Sequence, residues 1–323
     1  MSKKLLAIVS VLILGSMILS ACGPRVQEGT VATGDLVTLR GTSTTDIPTL
    51  DPQLGEDVVS INYIENLFVH LTNYDLVTAD IVPEAATAWE VSDDGLTYTF
   101  TIRTDIPWVN HNPETGEVKQ EVDAEGNPRF VTANDFVYGM KRACNPNTGS
   151  YYSGIIAVVI KGCEDVYQYE DPENIPQDLI DAIGVSAPDD ETLVVELPAA
   201  AAYFMSMTPM WTIAATPQWA IEAHGEEWIE AGNIVTNGRY VLNNWEHGVS
   251  RIVLRNPLMP EDMQGVGNIE KIETNVVPDV ATQYSLWLNN EIEQSAIPDG
   301  ELEAHLAAFA DETIQVPDLA VFY

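Results

Sequence analysis

The five histidines, His70, His111, His224, His247 and His305, are the side chains best suited to move protons near neutral pH or to hold a metal. They show no ligand spacing, and neither an HExxH nor a CxxC motif is present. No GxSxG elbow offers a nucleophilic serine, and no Gly-rich loop offers a phosphate cradle. With 49 carboxylates in the chain, two close in sequence identify no glycosidase pair. No catalytic residue, metal site or cofactor is therefore assigned. A secreted hydrolase and a purely structural surface protein remain as alternatives to a ligand binder. A turnover assay separates the first from a binder, and a thermal-shift ligand screen separates the second.

The remaining chemistry belongs to the cysteines. Lys3-Lys4 precedes an apolar run over residues 5–19, which is short for a membrane span. Leu19-Ser20-Ala21-Cys22 then resembles a bacterial lipobox, which makes residues 1–21 a signal peptide and Cys22 the lipidated first residue. An ordinary signal peptide or a plain anchor is the competing reading. Residues 22–35 read as a polar tether. In an oxidising, extracytoplasmic setting Cys144 and Cys163 are either a disulfide or two buried thiols. A bridge would close a loop of about 20 residues and add roughly 3 kcal/mol.

The elements that must position any site are legible in outline. The chain has 323 residues, enough for two domains, and 46% hydrophobic residues, enough for a substantial core. Its formal net charge of -35 repels phosphate backbones and argues against nucleic-acid binding. In residues 88–103, the turn Ser92-Asp93-Asp94-Gly95 precedes Leu96, Tyr98, Phe100 and Ile102 alternating with threonines, a hairpin pattern. A second hairpin is expected over residues 185–197, around Asp189-Asp190. Residues 36–40 alternate as a first strand, and residues 110–128 read as a long surface hairpin. Residues 58–71 place Ile61, Ile64, Leu67, Phe68 and Leu71 on one helical face. Thr132 with Asp135 is an Asp version of a capping box, opening a helix that runs to Arg142 or Ala143. Thr216-Pro217 opens a short helix that Gly225 ends. The fold class is α/β with mixed sheets.

The wording of these segments resembles one family. Trp89 to Gly95 with Tyr98, Phe100 and Arg103, the Leu50-Asp51-Pro52 triplet, Asn66-Leu67-Phe68, and Thr132 to Tyr138 each resemble motifs of the extracytoplasmic solute-binding proteins of peptide and nickel ABC importers. So do Asn145 to Thr148, Tyr203-Phe204, Asn233 to Tyr240, Leu254 to Pro257, and Asn290 to Glu293 with Pro298. Their order along nearly the whole chain makes the resemblance specific.

The resemblance implies a periplasmic-binding-protein-like class II fold, with two lobes and an extra domain. Domain I would comprise residues 36–52 and 185–275, domain II residues 53–184, and domain III would begin in 276–323. The chain is expected to be incomplete at the C-terminus, stopping in a strand at Phe322-Tyr323, and for that reason to bind ligand poorly by itself. The implied function is capture of oligopeptides and delivery to ABC permease subunits, by a monomer held to the membrane through its lipid. Oligosaccharides and nickel complexes are the other ligands the family admits. Matched contact positions are Glu56 and Val58, Tyr152 or its neighbour Tyr151, and the terminal Val321, Phe322 and Tyr323. Glu56 is equally readable as a solvated carboxylate at a helix start. Trp108 matches an exposed loop tryptophan, and Trp89 and Trp245 match structural positions.

Overall fold

The structure, a computed structural model, describes residues 26–313 apart from Thr33, Leu76 and Val266. The signal segment, Cys22, Val321, Phe322 and Tyr323 lie outside the described residues. The strands are β1 Glu28–Thr30, β2 Thr38–Ser43, β3 Thr72–Tyr74, β4 Ile81–Pro83, β5 Ala86–Val91, β6 Thr97–Ile102 and β7 Val109–Asn112. They continue with β8 Glu117–Gln120, β9 Val185–Asp189, β10 Thr192–Glu196, β11 Val235–Thr236, β12 Tyr240–Glu246, β13 Ser250–Arg255 and β14 Lys271–Val276. The α-helices are α1 Val58–Leu67, α2 Ala133–Cys144, α3 Ser153–Ala157, α4 Cys163–Tyr167, α5 Gln177–Asp181, α6 Gln218–His224, α7 Val280–Leu288 and α8 Leu302–Phe309.

Period-two alternation builds the sheet β5-β6-β10-β9. Tyr98, Phe100 and Ile102 of β6 and Leu193 and Val195 of β10 point into the main core, while the intervening threonines stay out. Tyr98 meets Phe204 edge-on at 4.9 Å. The two sequence hairpins are thus halves of one sheet, with Leu193 opposite Phe100, and this sheet draws on segments on both sides of residue 184. A second sheet runs β12-β13-β14-β2, antiparallel except where β14 lies parallel to β2. The first strand forms at Thr38–Ser43, later than the alternation over residues 36–40 suggests, because its register is set by β14 rather than by its own pattern.

The third sheet, β1-β8-β7-β11, contains a hairpin shorter than the one read over 110–128: β7 and β8 pair over 109–120, and Val122 and Pro128 close a separate bridge beyond it. It also corrects the tether. Glu28–Thr30 pairs with β8, and Val31 packs with Val109, Val118, Val241 and Leu254 in a small separate core. One apolar residue and a free strand edge were enough to dock a segment that polarity marks as loose.

Trp108 is a second correction, because it is fully buried rather than exposed. Its indole N–H donates to Asp135 Oδ2 at 3.2 Å, and its ring meets Trp219 edge-on at 5.4 Å. A ring with one donor is stable inside when a carboxylate accepts that donor. Asp135 also accepts from the Thr132 backbone N–H at 2.8 Å, the reciprocal half of the expected capping box.

Candidate ligand-binding face

The helix α1 is fixed at both ends. At its start Asp57 Oδ1 accepts from the N–H groups of Val59 and Ser60, both at 2.9 Å. At its end the N–H of Gly238 donates to Leu67 O at 2.8 Å, and Asn237 Oδ1 accepts from Val69 N–H at 2.9 Å. The Asn-Gly pair of the 233–240 motif therefore serves as the C-terminal stop of α1.

The segment leading into α1 is held by a buried charge network. Arg142 donates through two nitrogens to the two oxygens of Asp51, each at 2.6 Å, and to Gln53 Oε1 at 2.6 Å. Trp228 Nε1 reaches Asp51 Oδ2 at 3.2 Å, and Gln53 Nε2 donates to Thr216 Oγ1 at 3.0 Å. Gly139 of α2 allows this approach, since a Cβ there would lie 2.4 Å from Ala214 O. The Asp51 of the Leu-Asp-Pro triplet is thus a lock. It also lines a cleft of about 990 Å³ with Arg142, Lys141, Tyr138 and Trp228.

Beyond the lock, Glu56 and Val58 are presented outward. Val58 is 72% exposed, and Glu56 is exposed as well. Asp57 caps the helix, and Glu56 stands exposed just before it, so the reading of a solvated carboxylate at a helix start stays open beside the contact reading. Among the described residues its carboxylate has no hydrogen-bond or ion-pair partner, and its backbone N–H and C=O make no backbone hydrogen bond. An unpaired main-chain group beside a positive helix end can accept an added strand.

The disulfide loop supplies the opposite side of this face. Cys144 closes α2 and Cys163 opens α4, and the two are bonded with a Cα–Cα separation of 5.3 Å. Between them Ser153 Oγ ties α3 to Ala143 O at 2.7 Å. This fixes Tyr152, whose ring meets Trp211 edge-on at 5.2 Å. Trp211 Nε1 in turn donates to Gly55 O at 2.7 Å. The structure therefore brings Tyr152, Trp211 and the chain just before Glu56 together. Tyr151 is 66% exposed and leans on Tyr152 at 5.4 Å. Trp211 is the residue that sequence reasoning missed. The only signal for it was an indole at the end of the apolar run 198–210.

The family model for the bacterial extracellular solute-binding proteins, family 5 middle, matches residues 80–323. The chain belongs to this family. It is 30% identical over 307 residues to the oligopeptide-binding protein OppA of Bacillus subtilis, covering 93% of this chain and 51% of that protein. It is 26% identical over 282 residues to the probable deoxycholate-binding periplasmic protein YgiS of Escherichia coli, covering 85% of this chain and 46% of that one. Among solved structures, it is similar to the substrate-binding domain of an oligopeptide ABC transporter from Bacillus anthracis, with TM-score 0.71 and 26% identity over 87% of this chain and 49% of that chain. The chain thus spans about half the length of the curated relatives it matches. The family is one of solute-binding proteins, with the two-lobed class II fold. Among the described residues no three His, Cys, Asp or Glu side chains converge as a metal site. Among the same residues no helix is long and apolar enough to cross a membrane.

Proposed function

We propose that this chain captures oligopeptides outside the cell membrane and delivers them to the permease subunits of an ABC importer. The observation that carries the reading is the unpaired main chain of Glu56, set beside exposed Val58 and the Trp211–Tyr152 ring pair. An extended peptide would pair there as an added strand, with Tyr152 or Tyr151 against its side chains. Val321, Phe322 and Tyr323 would supply the facing strand. Three supports stand behind peptides: the name of the Bacillus subtilis relative, the fold and the fixed geometry of α1. The same reading divides the chain into residues 36–52 with 185–275, 53–184 and 276–323, with β10 of the 185–197 hairpin pairing with β6 across that division.

Backbone methylation of the ligand is the direct test. Calorimetry of the full chain should show that its peptide binding, however weak, falls at least about tenfold when the peptide amide facing Glu56 is N-methylated, the loss of one buried main-chain hydrogen bond. Deoxycholate is the competing ligand, favoured by the Escherichia coli relative. Binding of deoxycholate with no binding of peptides would overturn the peptide reading. The same reading places a monomer on the outer face of the membrane, anchored through Cys22. Labelling with a fatty-acid analogue should mark the wild type and leave Cys22→Ser unlabelled, and equal labelling would reject the anchor.

A further inference from the structure

A second cavity, of about 270 Å³, lies between α1 and the sheet β12-β13-β14-β2. Arg251, on the central strand β13, lines it and is 2% exposed. Its guanidinium is poorly compensated. Its nearest carboxylate, Asp46, stands at 3.9 Å. That carboxylate is already occupied by Trp245 Nε1 at 3.0 Å and by the N–H groups of Gly248 and Ile47 at 2.7 and 2.8 Å. Arg251 otherwise has a 3.4 Å contact to Thr45 O and lies 4.8 Å above the Tyr63 ring. Its Nε–H is buried without a partner, and so is the hydroxyl of Thr42, which lines the same cavity. Two orphaned polar groups on one cavity wall are unusual, since buried polar atoms are nearly always paired.

We propose that this cavity is a binding site for a small monocarboxylate with a short apolar body. Arg251 would hold the carboxylate with Thr42 donating beside it, completing the acceptor set that Asp46 does not provide. The chemistry of the remaining wall sets the class. Leu39, Val59, Val253 and Ile272 line it with apolar surface, while Asn62 and Gln294 offer amides. Polyanions are disfavoured, because the net charge of -35 opposes their approach, whereas one negative charge is offset locally by Arg251. The site is distinct from the Glu56 face and does not rest on the peptide reading.

The test uses the full chain with butyrate, and with butyramide as its uncharged isostere, at constant ionic strength. Butyrate should raise the melting temperature in a saturable way and bind by calorimetry, whereas butyramide should do neither. Arg251→Met should weaken butyrate binding at least about tenfold, and Thr42→Val severalfold, with circular dichroism unchanged. If Arg251→Met fails to fold, Thr42→Val carries the test alone. The proposal is overturned if butyrate and butyramide act alike, if neither acts, or if the folded variants bind as the wild type does. In those cases solvent water alone completes Arg251.

Discussion

Arg142 and Arg251 are both largely buried cations in a strongly acidic chain, yet their surroundings differ. Arg142 meets Asp51 through two 2.6 Å bonds, with Gln53 taking a third. Arg251 has a carboxylate at 3.9 Å that other donors already occupy. The first arrangement fixes the segment that leads to Glu56, because each oxygen of Asp51 has a partner. The second leaves a donor open toward a cavity. Burial alone therefore does not separate a structural charge from a candidate ligand group; the completeness of its partners does.

The largest effect expected follows from that contrast. Asp51→Ala strands Arg142, Trp228 Nε1 and the backbone N–H of Gln53, which donates to Asp51 Oδ1 at 3.0 Å, and should cost about 3–5 kcal/mol in chemical denaturation. Arg251→Met replaces a poorly paired charge by a side chain of similar length. It should cost less than about 1 kcal/mol, because lost cation–π attraction is offset by relief of desolvation. Equal losses in the two variants would break the comparison, since Arg251 would then be as fully compensated as Arg142.

Parts of this architecture were open to sequence reading, for a physical reason. Local rules govern the Tyr98-Phe100-Ile102 face, the Thr132–Asp135 cap and the Pro217 start of α6, so residue type and spacing suffice there. The partners of those elements are set by the fold. Nothing local tells that β10 pairs with β6, that β14 imposes the register of β2, or that Val31 finds a core. The same holds at the site. Glu56, Val58 and Tyr152 could be named by motif, whereas Trp211 reaches Gly55 across 156 positions and Arg251 is revealed only by what it lacks. Trp108 shows the converse error, where a residue placed by motif in a loop found an acceptor in Asp135 and went inside.

Asp135 supplies a third kind of buried charge, between the satisfied and the open one. Its oxygen accepts from Thr132 N–H, Thr132 Oγ1 and Trp108 Nε1, but among the described residues no cation pairs with it. Burial therefore outweighs these hydrogen bonds and pushes its carboxyl up to about 6. The sign follows from proton binding. Between the ordinary value of 3.8 and about 6 the folded chain holds more protons at this site than the unfolded chain. Stability from this group is thus fully present below 3.8 and is lost as pH rises through about 6. At one pH unit per 1.36 kcal/mol, the loss is at most about 3 kcal/mol. Asp135→Asn keeps an acceptor for Thr132 and Trp108 and cannot ionise, so it removes that slope. Denaturation at pH 4 and pH 8 should show the variant gaining on the wild type by about 1–3 kcal/mol between the two, since any cost of the new amide N–H groups is the same at both pH values and cancels. A wild-type-to-variant difference that is the same at both pH values would mean that a partner keeps Asp135 charged in the folded chain.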